Sequence, residues 1–165
     1  MLMQKNRMFK PHLLIIPVGS VVQFPNADPF FHNVFSLFDG KRFDLGLYEA
    51  GATKSVTFSR EGVSYIFCNI HPEMSAVVLT LSTALHTEAD PNGTFHLANV
   101  PAGDYDMRIW IEGVAQSDSS RMVRRVHLVS GSGDLGSIQV PALLNPPTHT
   151  NMFGQAYDRD VKPTY

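Results

Sequence analysis

The chain has 165 residues, enough for one ordinary domain or two small ones. Apolar residues make up 44% and charged residues 17%, so a buried core is attainable and a disordered chain is excluded. A formal net charge of −2, with Lys5, Arg7, Lys10 and the trio Arg121, Arg124 and Arg125 too sparse to track phosphates, argues against nucleic acid.

The first residues, "MLMQKNRMFKPHLLIIPVG", start basic, but the apolar run is short, contains Pro17 and lacks a small-residue cleavage site. No stretch is long enough to span a bilayer. From there the elements are short strands: "HLLIIPV", "SVVQF", "NVFSLF", "FDLGLY", "SVTFS", "VSYIFC" and "AVVLTLS", rich in Val, Ile, Phe and Tyr and punctuated by Gly, Pro, Asn and Asp. Nothing has helical length and period. The pattern predicts an all-β chain opening with a Greek-key β-sandwich over residues 1–83. Beyond it, "DPNG" and "VPAGDY" read as turns between strands, with "RMVRRVHLVSG" and "LGSIQVP" as further strands. They predict a second, smaller β module over 84–144. Residues 145–165, rich in Pro and polar side chains, read as a tail.

One cysteine excludes an internal disulfide framework. A lone Cys is ordinarily a small buried hydrophobe, but this one lies in "CNIHPEM", with His71 three residues on and Met74 three beyond that. CxxHxxM gathers a thiolate, an imidazole and a thioether on one loop leaving a strand. A blue-copper centre needs these and a second His in the trigonal plane. Of the seven histidines, His32 in "NADPFFHNVFSLF" is the candidate, because it opens a strand distant in sequence and is followed by Asn33. That Asn is suited to bond the backbone around the cysteine and orient the ligands. His12, His86, His96, His127 and His149 read as exposed strand or loop residues.

Together "FHNVFS" and "CNIHPEM" resemble a cupredoxin, and the short loop resembles that of amicyanin more than those of plastocyanin or azurin. "PHLLIIPVGSVVQFPNADPFFHNVFSLF" and "FDLGLYEAG" further resemble plastocyanin-like methylamine-utilisation proteins. The likeness covers about residues 4–82. It implies one type 1 copper held by His32, Cys68, His71 and Met74, with Asn33 in support, and an electron-transfer protein rather than an enzyme. It also implies an apolar docking surface for a redox partner around an outward edge of His71, drawn from Pro29, Phe30, Phe31 and Pro72. Cupredoxins commonly carry a strand ahead of the region matched by "HLLIIPV". The resemblance therefore leads us to expect either that the gene start is placed late or that another segment, the tail being one candidate, covers that sheet edge. It also places the chain in the periplasm or another extracytoplasmic compartment, its export signal absent from these residues.

"DPNGTFHLANVPAGDYDMRIWIEG" resembles a carboxypeptidase regulatory-like module, a small transthyretin-type sandwich, which implies fold and no peptidase. HExxH, GxSxG and paired HxH motifs are missing, and "GSGDLG" lacks the order and the βαβ context of a dinucleotide loop. Two further readings stay open: a copper carrier or sensor without redox turnover, and a surface β module with an unfilled site.

Overall fold

The computed structural model describes residues 1–37, 40–114, 122–130, 133–140 and 150–157. The chain divides into two compact units, Met1–Ala84 together with His149–Tyr165, and Leu85–Thr148.

In the first unit, β3 (Leu13–Pro17), β5 (His32–Ser36), β6 (Phe43–Tyr48), β8 (Gly62–Phe67) and β9 (Ser75–Leu81) form a five-stranded sheet in the order β3-β9-β8-β5-β6. β3 runs parallel to β9 and the other pairings are antiparallel. Opposite lie β4 (Ser20–Pro25) and β7 (Thr53–Phe58), paired antiparallel. The seven segments expected from the sequence are these seven strands. β-branched and aromatic residues fit a half-buried pleat, and the Gly, Asn and Pro between them break it. On β4 the alternation is strict: Val22 and Phe24 are buried and Val21 and Gln23 exposed. β5 instead is buried at every residue, the mark of a strand covered on both faces. Phe24 and Phe58 are buried and the partly buried Phe43 meets both, with ring centroids 5.9 and 6.2 Å apart; the full burial of Phe24 and of Phe58 contributes about 1.5–3 kcal/mol each.

Two strands unforeseen in the sequence precede this framework. β1 (Met3–Lys5) and β2 (Met8–Lys10) form a hairpin whose turn residues Asn6 and Arg7 have φ of 56° and 55°, the backbone of a type I′ turn. Gln4 bridges Asn26, and the Leu2 amide donates to the Gln23 carbonyl at 2.8 Å. The hairpin thus joins β4 and buries Leu2 and Phe9.

Between β5 and β6 the register shifts at Asn33/Phe35, with an extra residue on β6 and Gly46 at φ 64°. The bulge bends β6 beside the end of β5 that carries His32 and Asn33. At the base of the sheet Gly40 lies against β8. A Cβ there would sit 2.5 Å from the Val63 carbonyl oxygen and 2.6 Å from Ser64 Oγ. Gly40→Ala is therefore expected to cost about 2 kcal/mol, read from denaturant unfolding; a loss under about 0.5 kcal/mol would show that the backbone yields freely.

In the second unit, β10 (Gly103–Arg108) and β11 (Val123–Leu128) form an antiparallel pair, Gly103 opposite Leu128. The "DPNG" turn is present, with Asp90 Oδ1 accepting the amides of Asn92 and Thr94. Its flanks, however, are not strands, and neither are residues 135–140 of "LGSIQVP". Local β character does not hold a strand without a neighbour to complete its hydrogen bonds. Pro141, at the end of that segment, and Arg121 of the basic trio lie outside the described residues. So do 145–149 and 158–165 of the expected tail. The described part, 150–157, belongs to the first unit and hydrogen-bonds the loop after β8. Among the described residues no helix is long and apolar enough to cross a membrane.

Candidate metal centre

His32 opens β5, and Cys68, His71 and Met74 lie on the loop joining β8 to β9. The loop closes on itself: the Met74 amide donates to the His71 carbonyl at 3.0 Å and the Cys68 amide to the Met74 carbonyl at 3.3 Å. With Phe67 paired to Ser75 just below, the tight turn presents Cys68, His71 and Met74 at one end of the sandwich. Asn33 ties the two ligand-bearing segments together. Its Oδ1 accepts the Asn69 amide at 3.2 Å, while its Nδ2 donates to Asp44 Oδ1 at 2.7 Å.

His32, Cys68 and His71 each offer one ligand atom, all within 4.8 Å of one another, and theirs is the one such group found among the described residues. Cys68 Sγ lies 3.9 Å from His32 Nδ1 and 3.6 Å from His71 Nδ1. Metal–sulfur and metal–nitrogen bonds of about 2.3 and 2.0 Å, opened to 120°, place the two donors about 3.7 Å apart. The donor separations therefore suit one shared ion. His32, Cys68 and Met74 are 0% exposed and His71 3%. The outward His71 edge expected from the resemblance is accordingly narrow.

Asp28 was not singled out in the sequence, yet it sets the chemistry of His32. Its Oδ2 lies 2.8 Å from His32 Nε2. A carboxylate there takes the Nε2–H and leaves the Nδ1 lone pair toward Cys68. The same carboxylate accepts the Asn6 amide at 2.7 Å and the Arg7 amide at 3.0 Å. Burial alone would raise the Asp28 carboxyl, but these amides and the His32 ring outweigh it and hold it below its ordinary value.

Burial pushes the Cys68 thiol up, while the backbone amides of Asn33, Ile70 and His71, directed at the sulfur, work the other way. Burial, then the neighbouring His32 ring, lowers His71 from 6.5 to about 4, so its imidazole is neutral and able to bind metal at pH 7. With the folded value depressed, the unfolded chain takes up the proton first on acidification. The His71 contribution to the stability of the metal-free protein is full above pH 6.5 and is lost progressively as pH falls toward 4. Denaturant midpoints are expected to drop across that window, and His71→Gln to flatten the slope; an equal slope in the variant would assign it elsewhere.

The Phe30 ring covers both imidazoles, its centroid 5.2 Å from His32 and 5.7 Å from His71. The Arg7 guanidinium lies 5.3 Å above that ring. Phe30 is thus sandwiched and half-buried, whereas Pro29, Phe31 and Pro72 are exposed. Two more residues that composition had assigned to a tail touch the loop. The Met152 amide donates to Asn69 Oδ1 and the Tyr157 hydroxyl to the Cys68 carbonyl, each at 2.9 Å.

No protein-family model matches the sequence, and no curated protein is similar to it at a significant level. Among solved structures, this chain is similar to a copper-containing nitrite reductase from Thermus scotoductus SA-01, at 25% identity and a TM-score of 0.46. That likeness covers 48% of this chain and only 21% of the reductase. A purple cupredoxin from Nitrosopumilus maritimus is similar at 30% identity and a TM-score of 0.42, over 46% of this chain and 84% of that one. A reduced amicyanin variant is similar at 20% identity and a TM-score of 0.46, over 48% and 79%. By its strand order and by where it gathers His32, Cys68, His71 and Met74, the N-terminal half is a cupredoxin-like β-sandwich with a buried cluster compatible with a type 1 copper site.

Proposed function

We propose that the chain is a single-electron carrier holding one type 1 copper through His32, Cys68 and His71, with Met74 as the weak axial ligand. The observation that carries this reading is the buried trio of one sulfur and two Nδ1 atoms at separations one ion can bridge. When bound, copper in such a donor set supplies one-electron chemistry with little rearrangement between its two oxidation states. The protein's part is to hold the donors still. Asn33 locks the two loops, Asp28 orients His32, and Phe30 excludes water from the imidazoles. Closure also disfavours the carrier reading, because handing over the ion would require the buried His71 and Cys68 to open.

The test is to load the full-length chain with copper, then measure metal stoichiometry, the visible thiolate-to-copper band and voltammetry. One copper per chain, an intense band and a reversible wave are expected. Tight copper binding without a reversible wave would favour a carrier or sensor, and no binding a surface module with an unfilled site.

A redox partner of unknown identity would dock where the ligand loop meets the surface, on the exposed Phe31 and Pro72 and the half-buried Phe30. Weak redox encounters use small apolar interfaces. Phe31, 52% exposed, is the place for a charge: Phe31→Glu is expected to slow partner exchange about tenfold with the spectrum unchanged, the cost of about 1.4 kcal/mol at the interface. Stopped-flow kinetics unaffected by Phe31→Glu and Pro72→Glu alike would move the docking surface. We assign the second unit to a structural role without metal, with the transthyretin-type sandwich as its proposed fold. We assign the chain to an extracytoplasmic compartment on the family resemblance; recovery of the native protein in the cytoplasmic fraction would overturn that placement.

A further inference from the structure

Residues 150–157 follow the second unit in sequence but belong to the compact unit that contains the metal centre. None of them is a donor in the cluster. They form a braced turn. Asn151 Oδ1 accepts the Phe153 and Gln155 amides, its carbonyl accepts the Gly154 amide, and its own amide donates to the Gln155 carbonyl. Gly154 supplies the positive φ, 77°, that the turn requires.

This turn grips the ligand loop at two adjacent residues. Met152 N–H bonds Asn69 Oδ1, and the Tyr157 hydroxyl bonds the Cys68 carbonyl. Asn69 is simultaneously held through its amide by Asn33 from β5. The peptide joining Cys68 to Asn69 is therefore fixed from the strand on one side and from the C-terminal segment on the other.

We propose that Tyr157 is a positioning residue of the metal centre, its hydroxyl fixing the Cys68 carbonyl and through it the direction and redox balance of the Cys68 sulfur, with Met152 anchoring the segment. The proposal rests on the copper reading above for its redox part and on the hydrogen bonds alone for its positioning part. A hydroxyl whose hydrogen end points at the Cys68 peptide favours the more electron-rich state of a sulfur–metal unit beside it. Its removal should shift the balance toward the oxidised form.

Tyr157→Phe in the full-length chain deletes the hydroxyl and keeps the ring. In the metal-free protein, hydrogen exchange of the Cys68 and Asn69 amides and alkylation of Cys68 are expected to run about fivefold faster, the scale of one net hydrogen bond, with the global unfolding midpoint little changed. In the copper-loaded protein the redox equilibrium is expected to move about threefold, a fall of roughly 30 mV at 59 mV per decade. Asn69→Ala, which removes the Met152 anchor, should loosen the same amides. Tyr105→Phe is the control, because Tyr105 donates an equivalent bond to the Pro101 carbonyl in the other unit and should move none of these readouts. Unchanged exchange in metal-free Tyr157→Phe, or an unchanged potential in the loaded variant, overturns the proposal. If the wild-type chain forms no coloured site, the copper reading fails instead, and the exchange result by itself decides whether Tyr157 positions the loop.

Discussion

Cys68→Ser is expected to leave a folded protein that forms no intense visible band with copper and binds the metal more than tenfold more weakly. Cys68 is fully buried among Ile66, Met74 and their core neighbours, so the first concern is the fold. A serine is slightly smaller, and its hydroxyl inherits partners: the amides of Asn33, Ile70 and His71 as donors, and the Nδ1 atoms of His32 and His71 nearby. With its polar atom satisfied, the replacement should cost about 1–2 kcal/mol, within reach of an ordinary domain's stability. The metal site fares worse. A hard, protonated hydroxyl replaces the soft thiolate that selects copper, and the charge transfer responsible for the band has no donor. Thermal melts establish the fold and absorption after copper addition establishes the site. A band of wild-type intensity in the variant would remove Cys68 from the ligand set.

Asp28→Ala should be damaging in a different way, to fold and site together. One buried carboxylate closes the β1–β2 turn through the Asn6 and Arg7 amides and accepts the His32 ring proton. Neither Asn6 nor Arg7 is glycine, yet both hold positive φ, a conformation costing roughly 1–2 kcal/mol per residue that the carboxylate offsets. Removal leaves two amides and an imidazole N–H without their acceptor, and we expect a loss of about 3 kcal/mol in the metal-free protein. Asp28→Asn keeps the volume and one acceptor while removing the charge. Its stability should fall less, but metal affinity should still drop about 10–100-fold, as for other residues that orient a histidine ligand. Competition titration against a chelator measures the second effect and denaturant unfolding the first. Wild-type metal affinity in both variants would show that His32 keeps its orientation without Asp28.

The two largest effects differ in how far they could be read from the sequence. Cys68 announces itself, because CxxHxxM is a local pattern and a loop of that length brings its three side chains to one point whatever surrounds it. His32 is nearly as legible, opening a β-branched and aromatic strand after a Pro-containing turn. The seven strands from Leu13 to Leu81 follow from residue type and from the Gly, Pro and Asn between them, since both are local preferences. Asp28 gives no such signal. Its importance comes from acceptor atoms shared between a turn more than twenty residues earlier and a ring four residues later.

The hairpin of β1 and β2 was hidden for the same reason. Its strands are three residues long, rich in Lys and Met, and its turn is Asn-Arg without glycine; what holds that turn is a distant carboxylate. Residues 135–140 err in the other direction, apolar and β-branched yet not a strand, because strand formation needs a partner edge that local composition cannot provide. The C-terminal segment looked like a polar, Pro-rich tail, and its composition is that of one. Its contact with the centre depends on where the fold puts the Cys68 carbonyl and the Asn69 side chain. By itself, then, the sequence determined the candidate donor residues and the strands that carry them, because spacing and side-chain type act over a few residues. Only the tertiary structure decided how those donors are held, through Asp28, Asn33, Met152 and Tyr157, because a hydrogen bond between segments far apart in the chain depends on the position of two atoms that no local pattern records.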